Sequence, residues 1–182
     1  MISLIEKIYC VKTILNKEQL SLTILRLSHQ LIEELSDSDM KDLVFIGIQP
    51  RGVLLGDRIM DCIKSQAGSG SSIQYGKLDI TFYRDDVRKE LHIPSATHID
   101  FSIEGKKVVL IDDVLYTGRT VRAALDALLD FGRPAQVSLC VLIDRRFSRE
   151  LPIQPDYCGL SIDTLESQEV KVSWDRACVE LF

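Results

Sequence analysis

Val108-Val109-Leu110-Ile111-Asp112-Asp113-Val114-Leu115-Tyr116-Thr117-Gly118-Arg119-Thr120 is the stretch on which the reading of this chain turns. Its opening apolar run, unbroken by polar residues, is the pattern of a strand buried on both faces, and it ends on two carboxylates. In open parallel sheets, ligands settle outside the carboxyl ends of the strands. Past the turn, Val121, Ala124, Leu125, Leu128 and Leu129 recur at helical spacing. The turn therefore opens a helix, where free N–H groups and the helix dipole favour an anion. Asp112 and Asp113, side by side, can accept hydrogen bonds from the neighbouring hydroxyls of a ribose. The hydroxyls of Thr117 and Thr120, with the N–H groups of the turn, suit a phosphate, which Gly118 lets the backbone approach closely. A polar strand end followed by a simple helix cap is the plainer alternative, but the buried strand before the turn and the helix after it favour the ligand grip.

Outward from this block, the chain alternates buried strands with amphipathic helices. Residues 8–15 read as a strand, and Asn16 with Gln19 forms a helix start in which each side chain serves the other's backbone N–H. Leu20, Ile24, Leu27, Leu31, Ile32 and Leu35 then space a core-facing stripe, which Ser36-Asp37-Ser38-Asp39 ends. Leu43-Val44-Phe45-Ile46-Gly47-Ile48 is a second buried strand, followed by Gln49-Pro50-Arg51-Gly52 and a helix to about residue 65. Residues 73–83 read as a strand, and 84–101 as a long charged segment without periodicity, the kind that is functional or mobile. Gly132 and Pro134 stop the helix after the grip, and 137–143 form the next buried strand, ending at Asp144-Arg145. Residues 157–162, 170–174 and 178–182 alternate, which suggests short antiparallel strands capping the site. The expected class is α/β, a mostly parallel sheet flanked by helices. The Gly68-Ser69-Gly70-Ser71-Ser72 connection is no dinucleotide fingerprint, since Ile73 and a strand follow. Gly76-Lys77 is no Walker loop, since Leu78 stands where a hydroxyl is needed.

A chain of 182 residues, 46% of them hydrophobic, can bury one sizeable core, so residues 1–182 are expected to form a single domain. A net charge of -5 argues against a surface devoted to nucleic acid, though not against a local basic face. Five scattered cysteines with no Cys-x-x-Cys pair read as reduced thiols. Glu6 and Lys7 interrupt the apolar start and no run reaches membrane-spanning length, so a cytoplasmic protein is expected.

The block 112–120 resembles the phosphoribosyl-diphosphate (PRPP) motif of type I phosphoribosyltransferases. Its full string is similar to one branch, the PyrR branch, whose members are pyrimidine-operon attenuation regulators and uracil phosphoribosyltransferases. Phe82-Tyr83-Arg84-Asp85-Asp86, Asp126-Ala127-Leu128-Leu129-Asp130-Phe131-Gly132-Arg133-Pro134 and Arg149-Glu150-Leu151-Pro152-Ile153 resemble the same branch, so the likeness covers nearly the whole chain. It implies a phosphoribosyltransferase-like fold, with 84–101 as a mobile active-site loop and a hood contributed by the chain ends, here 155–182. It implies transfer of ribose 5-phosphate from PRPP to uracil, giving UMP and pyrophosphate through a transition state with oxocarbenium character. Mg²⁺ would be held through substrate and waters near Asp112 and Asp113 rather than by direct protein ligands. The implied catalytic residues are Asp112, Asp113 and Arg84. The implied substrate contacts are Pro50, Arg51, the run Asp112, Asp113, Val114, Leu115, Tyr116, Thr117, Gly118, Arg119 and Thr120, and, beside the base, Arg145 and Ile162.

In purine members an Asp handles the ring proton at the position of Tyr116. A Tyr does not take that role at neutral pH, which favours a pyrimidine. Type I enzymes often carry a cis peptide in the first loop, and the matching bond here is Pro50-Arg51, although Pro50 replaces the branch's usual Thr. The branch also implies a UMP-responsive RNA-binding regulator acting on pyrimidine-operon leader RNA, with Arg26, His29, Arg146 and Arg149 as candidate contacts, and a dimer or larger homo-oligomer. Where the branch usually reads Asp-Arg-Gly-His-Arg-Glu-Leu-Pro, this chain has Asp144-Arg145-Arg146-Phe147-Ser148-Arg149-Glu150-Leu151-Pro152, and Leu25 replaces a usual Thr. Both changes count against RNA binding. A PRPP binder without catalysis is the remaining alternative, and nothing in the motif favours it.

Overall fold

A computed structural model of the chain describes residues 11–33, 42–67, 73–85 and 94–182. Five strands, β2 (Leu43–Ile48), β3 (Gln74–Leu78), β4 (Lys107–Leu115), β5 (Gln136–Arg146) and β6 (Tyr157–Asp163), form one sheet in the order β3-β2-β4-β5-β6. Every neighbouring pair in it is parallel. Helices α1 (Lys17–Glu33), α2 (Arg51–Ala67) and α3 (Arg119–Leu128) cover it. Strands β1 (Lys12–Leu15), β7 (Val170–Ser173) and β8 (Cys178–Leu181) form a separate antiparallel sheet, drawn from both ends of the chain, in the order β1-β8-β7. This is the expected α/β architecture, with the small second sheet as its hood.

The unalternated apolar strands follow from burial on both faces. In β4, Val109 and Ile111 pack with Leu27, Leu31, Ile59 and Ile63 of α1 and α2, whereas Val108 and Leu110 pack with Ala124 and Leu128 of α3. Successive side chains of a strand alternate faces, so one strand feeds two cores. The hood joins the first of them through Leu15, Val170, Val172 and Val179. At the start of α1, Asn16 N–H donates to Gln19 Oε1 at 3.0 Å and Gln19 N–H to Asn16 Oδ1 at 2.9 Å. This is the expected reciprocal cap.

Several expectations need correction. Strand 73–83 is shorter: β3 stops at Leu78, and Thr81–Tyr83 is a 3-10 turn. Asp79 accounts for the break, because its carboxylate accepts the N–H groups of Thr81 at 2.7 Å and Ser95 at 2.6 Å, bonds a continuing strand does not offer. Residues 157–162 are not hood. β6 is the parallel edge of the main sheet, so the hood within 155–182 is confined to β7 and β8. Leu125 of α3 and Leu129 just past it are exposed, while Val121, Ala123, Ala124, Ala127 and Leu128 form the buried face. The cis peptide is Gln49-Pro50, one bond earlier than the family likeness implied. A proline's tertiary amide makes cis far less costly than it is at a non-proline bond. Residues 8–10, Leu35, the stop at 36–39, the connection 68–72 and residues 86–93 of the 84–101 segment lie outside the described residues. Residues 94–101 are described, and His98 there pairs antiparallel with Lys77 of β3.

Candidate active site

A cavity of about 540 Å³ opens at the carboxyl end of β4. The residues after the strand turn sharply: Gly118 takes φ 92°, a left-handed conformation, and α3 begins at Arg119. That conformation is open to glycine at little cost. A side chain at Gly118 would also meet Leu151 Cβ and Ile153 Cδ1 at 3.3 Å, so the turn is packed tightly from behind. Val114, Leu115, Tyr116, Thr117, Gly118, Arg119 and Thr120 all line the cavity. The N-terminus of α3 thus points its free N–H groups at the space where an anion would lie. Arg119 N–H lies 3.4 Å from Thr117 Oγ1, at the long limit of a hydrogen bond, so that hydroxyl can turn to a ligand.

The two carboxylates part company. Asp112 lines the cavity beside Arg51 and Arg84, whereas Asp113 does not line it. Asp113 points the other way and pairs with Arg51, Nε to Oδ2, at 3.2 Å, its side chain 2% exposed. Strand alternation is the reason, so of the two carboxylates expected at the sugar diol only Asp112 lines this cavity, with Asp113 behind it against Arg51. Asp113 N–H donates to Asp112 Oδ1 at 2.9 Å. Burial first, then the charge of Asp113, pushes the Asp112 carboxyl up from its ordinary 3.8 to about 8, against the pull of the Asp113 amide, Arg51 and Arg84. Burial also raises Asp113, with Arg51 opposing. Two buried acids so close do not both ionise freely.

Arg51 reaches the cavity because α2 begins beside β4. A Cβ on Gly52 would collide with the carbonyl of Ile111 and stand 3.0 Å from Asp112 Cα, so only glycine permits the approach. Pro50, one residue earlier, is not among the residues lining the cavity. At the far wall, Arg145 lies over the Tyr116 ring, 3.9 Å from its centroid. Its guanidinium donates to Thr164 Oγ1 at 3.0 Å and to the Gln168 carbonyl at 2.8 Å. Ile162 pairs with Arg145 across β5 and β6, but it packs against the core and does not line the cavity. Glu169 and Val170, where the hood meets the cavity, do line it, as does Glu150. No local pattern singled out the first two, because only the hood's placement brings them there. Glu150 ion-pairs with Arg119 at 2.5 Å, and Arg119 also reaches Asp85 at 2.8 Å.

The candidate RNA contacts do not share one environment. Arg26 donates to Cys158 O at 3.1 Å and also to Gly159 O, carbonyls of the edge strand β6. Arg149 is turned inward, its side chain 20% exposed and paired with Asp144. Arg146 pairs with Asp163 at 2.8 Å at the surface, and His29 is exposed on α1.

A phosphoribosyl transferase domain model matches residues 11–177. Curated proteins described as bifunctional protein PyrR are similar over most of their length. That of Acetivibrio thermocellus is 50% identical over 161 residues, covering 87% of this chain and 85% of the relative. That of a Picosynechococcus species is 46% identical over 160 residues, covering 87% and 88%. Among solved structures, a hypoxanthine-guanine phosphoribosyltransferase of Bacillus anthracis with a HEPES molecule in its active site superposes with a TM-score of 0.66 at 18% identity, covering 86% of this chain and 85% of that one. A hypoxanthine phosphoribosyl transferase of Trypanosoma cruzi gives 0.67 at 17% identity, covering 84% and 78%. At such identities these structures speak for the fold and not for the choice of base.

Proposed function

The chain belongs to the phosphoribosyl transferase domain family, and from that premise we propose that it transfers ribose 5-phosphate from PRPP to uracil, giving UMP and pyrophosphate. It is a glycosyltransferase. The observation that carries the reading is the convergence on one cavity of Asp112, Arg51, Arg84 and the turn 117–120 at the N-terminus of α3. The N–H groups of that turn and the hydroxyls of Thr117 and Thr120 hold the 5′-phosphate, while Asp112 accepts a ribose hydroxyl. Arg51 and Arg84 face the pyrophosphate end, where their charges steady the leaving group as its bond to the anomeric carbon lengthens. Arg145, held against Tyr116, forms the wall beside the base.

Asp112, set on the cavity wall beside Arg51 and Arg84, suits a hydrated cation carried in on the diphosphate rather than an all-protein cage, and it would order the waters of that cation. When bound, Mg²⁺ supplies charge neutralisation at the diphosphate oxygens. Incubating purified protein with Mg²⁺, PRPP and a panel of bases tests the reading: UMP is the expected product, and preferential turnover of hypoxanthine or guanine overturns it.

The description of the relatives as bifunctional favours a second role, UMP-responsive binding of pyrimidine-operon leader RNA by a homo-oligomer. Of the four candidate contacts, Arg149 is turned inward against Asp144, whereas Arg26, His29 and Arg146 are exposed, with Arg26 bonded to β6 carbonyls and Arg146 paired with Asp163. A salt-sensitive gel shift that UMP strengthens is the expected signature, and no binding at low salt removes this role. No helix among the described residues is long and apolar enough to cross a membrane.

A further inference from the structure

Arg149 is neither exposed nor at the cavity. It sits behind the phosphate turn, and its guanidinium gathers backbone carbonyls from three segments. Nη1 donates to Leu115 O at 3.3 Å, to Arg145 O at 3.0 Å and to Tyr116 O, while Nε donates to Ile153 O at 3.0 Å. Nη2 donates to Asp144 Oδ1, and the Asp144 side chain is 12% exposed. The next two residues continue the pattern, since the N–H groups of Glu150 and Leu151 donate to Thr117 O at 3.0 and 3.1 Å. Three consecutive carbonyls, those of Leu115, Tyr116 and Thr117, are thereby held from the same side.

A trans peptide unit is planar, and its C=O and N–H point in opposite directions. Drawing those carbonyls towards residues 149–151 therefore aims the N–H groups of Tyr116, Thr117 and Gly118 the other way. Tyr116, Thr117 and Gly118 line the cavity, and Arg149 does not. We propose that Arg149 is a positioning residue for the sugar 5′-phosphate, shaping the anion-binding turn by fixing its carbonyls from behind without touching the substrate. The guanidinium suits this task because its donors form a fixed fork, and a lysine in the same place offers one point charge that cannot span carbonyls on several segments. Asp144 holds the fork in orientation.

The inference rests on the phosphoribosyl reading, and its test separates the two. Calorimetry on the full chain, with ribose 5-phosphate and with PRPP and Mg²⁺ as probes, compares wild type with Arg149→Ala. Disordering the turn weakens both ligands by the same factor, about 30-fold, because both carry the 5′-phosphate. The KM for PRPP rises by a similar factor while the KM for uracil stays unchanged. Loss of PRPP affinity with ribose 5-phosphate affinity retained would place Arg149 on the diphosphate and overturn the inference, as would affinities for both within twofold of wild type. A wild-type chain that binds neither sugar phosphate overturns the phosphoribosyl reading and this inference together. Should the Ala variant not fold, Asp144→Asn and Arg149→Lys keep the test alive: each is expected to weaken both ligands in parallel by a smaller factor, and wild-type affinity in both variants overturns the proposal.

Discussion

Strand alternation sets Asp112 towards the cavity and Asp113 towards Arg51, and the consequence is a buried acid pair whose charge Arg51 and Arg84 offset only in part. Because burial raises the Asp112 carboxyl from 3.8 to about 8, the folded chain keeps a proton that the unfolded chain releases. The stability this contributes is complete below the ordinary carboxylate range and is lost as pH rises through about 8. Asp112→Asn keeps the shape and removes the ionisation. Thermal melts are therefore expected to show the variant equal to wild type near pH 4 and more stable at pH 9. A variant less stable than wild type at pH 9 would contradict this account of the site. Arg26 is the converse case, a cation that the family likeness suggests as a ligand contact but whose donors cover the Cys158 and Gly159 carbonyls. Arg26→Ala is expected to destabilise the fold by about 1–2 kcal/mol in a urea titration while leaving UMP synthesis unchanged.

Elements, rather than single residues, make the turn to which we assign the phosphate. β4 ends, Gly118 reverses the chain at φ 92°, and α3 starts, with Leu151 and Ile153 packed behind. Gly118→Ala combines a left-handed backbone with crowding at 3.3 Å. It is expected to lose about 1–2 kcal/mol of stability and to raise the KM for PRPP more than that for uracil, which denaturant titration and initial rates will check. At the other end of the chain, the Asn16–Gln19 cap lies on the first helix, away from the cavity. Asn16→Ala should cost about 1 kcal/mol and leave the rate untouched. The cap was legible because it depends only on residues three apart. The buried face of α3 was legible in part: Val121, Ala124 and Leu128 of the expected stripe are buried, but Ala123 and Ala127 are buried where Leu125 and Leu129 are exposed.

At the scale of the whole molecule, one parallel sheet divides two cores, and the hood shares the core under α1 and α2 through Leu15, Val170, Val172 and Val179. The single tryptophan, Trp174, follows β7 and lies against Arg58 of α2, 4.5 Å from ring centroid to guanidinium carbon. Its fluorescence therefore reports the junction between the hood and α2. In a denaturant titration the Trp174 signal and the far-ultraviolet circular dichroism are expected to change together, and two separated transitions would mean that the hood folds as a unit of its own. The sequence by itself determined the buried strands, the helices, the strand-to-helix turn at 116–119 and the family, because each is written in side chains that are neighbours along the chain or recur at a fixed period. Tertiary structure alone decided which of two adjacent aspartates faces the cavity, that β6 completes the main sheet, that Glu169 and Val170 close the site, and that Arg149 works from behind it. Those outcomes depend on which segments meet across the sheet, and contacts between residues distant in sequence leave no period to be read.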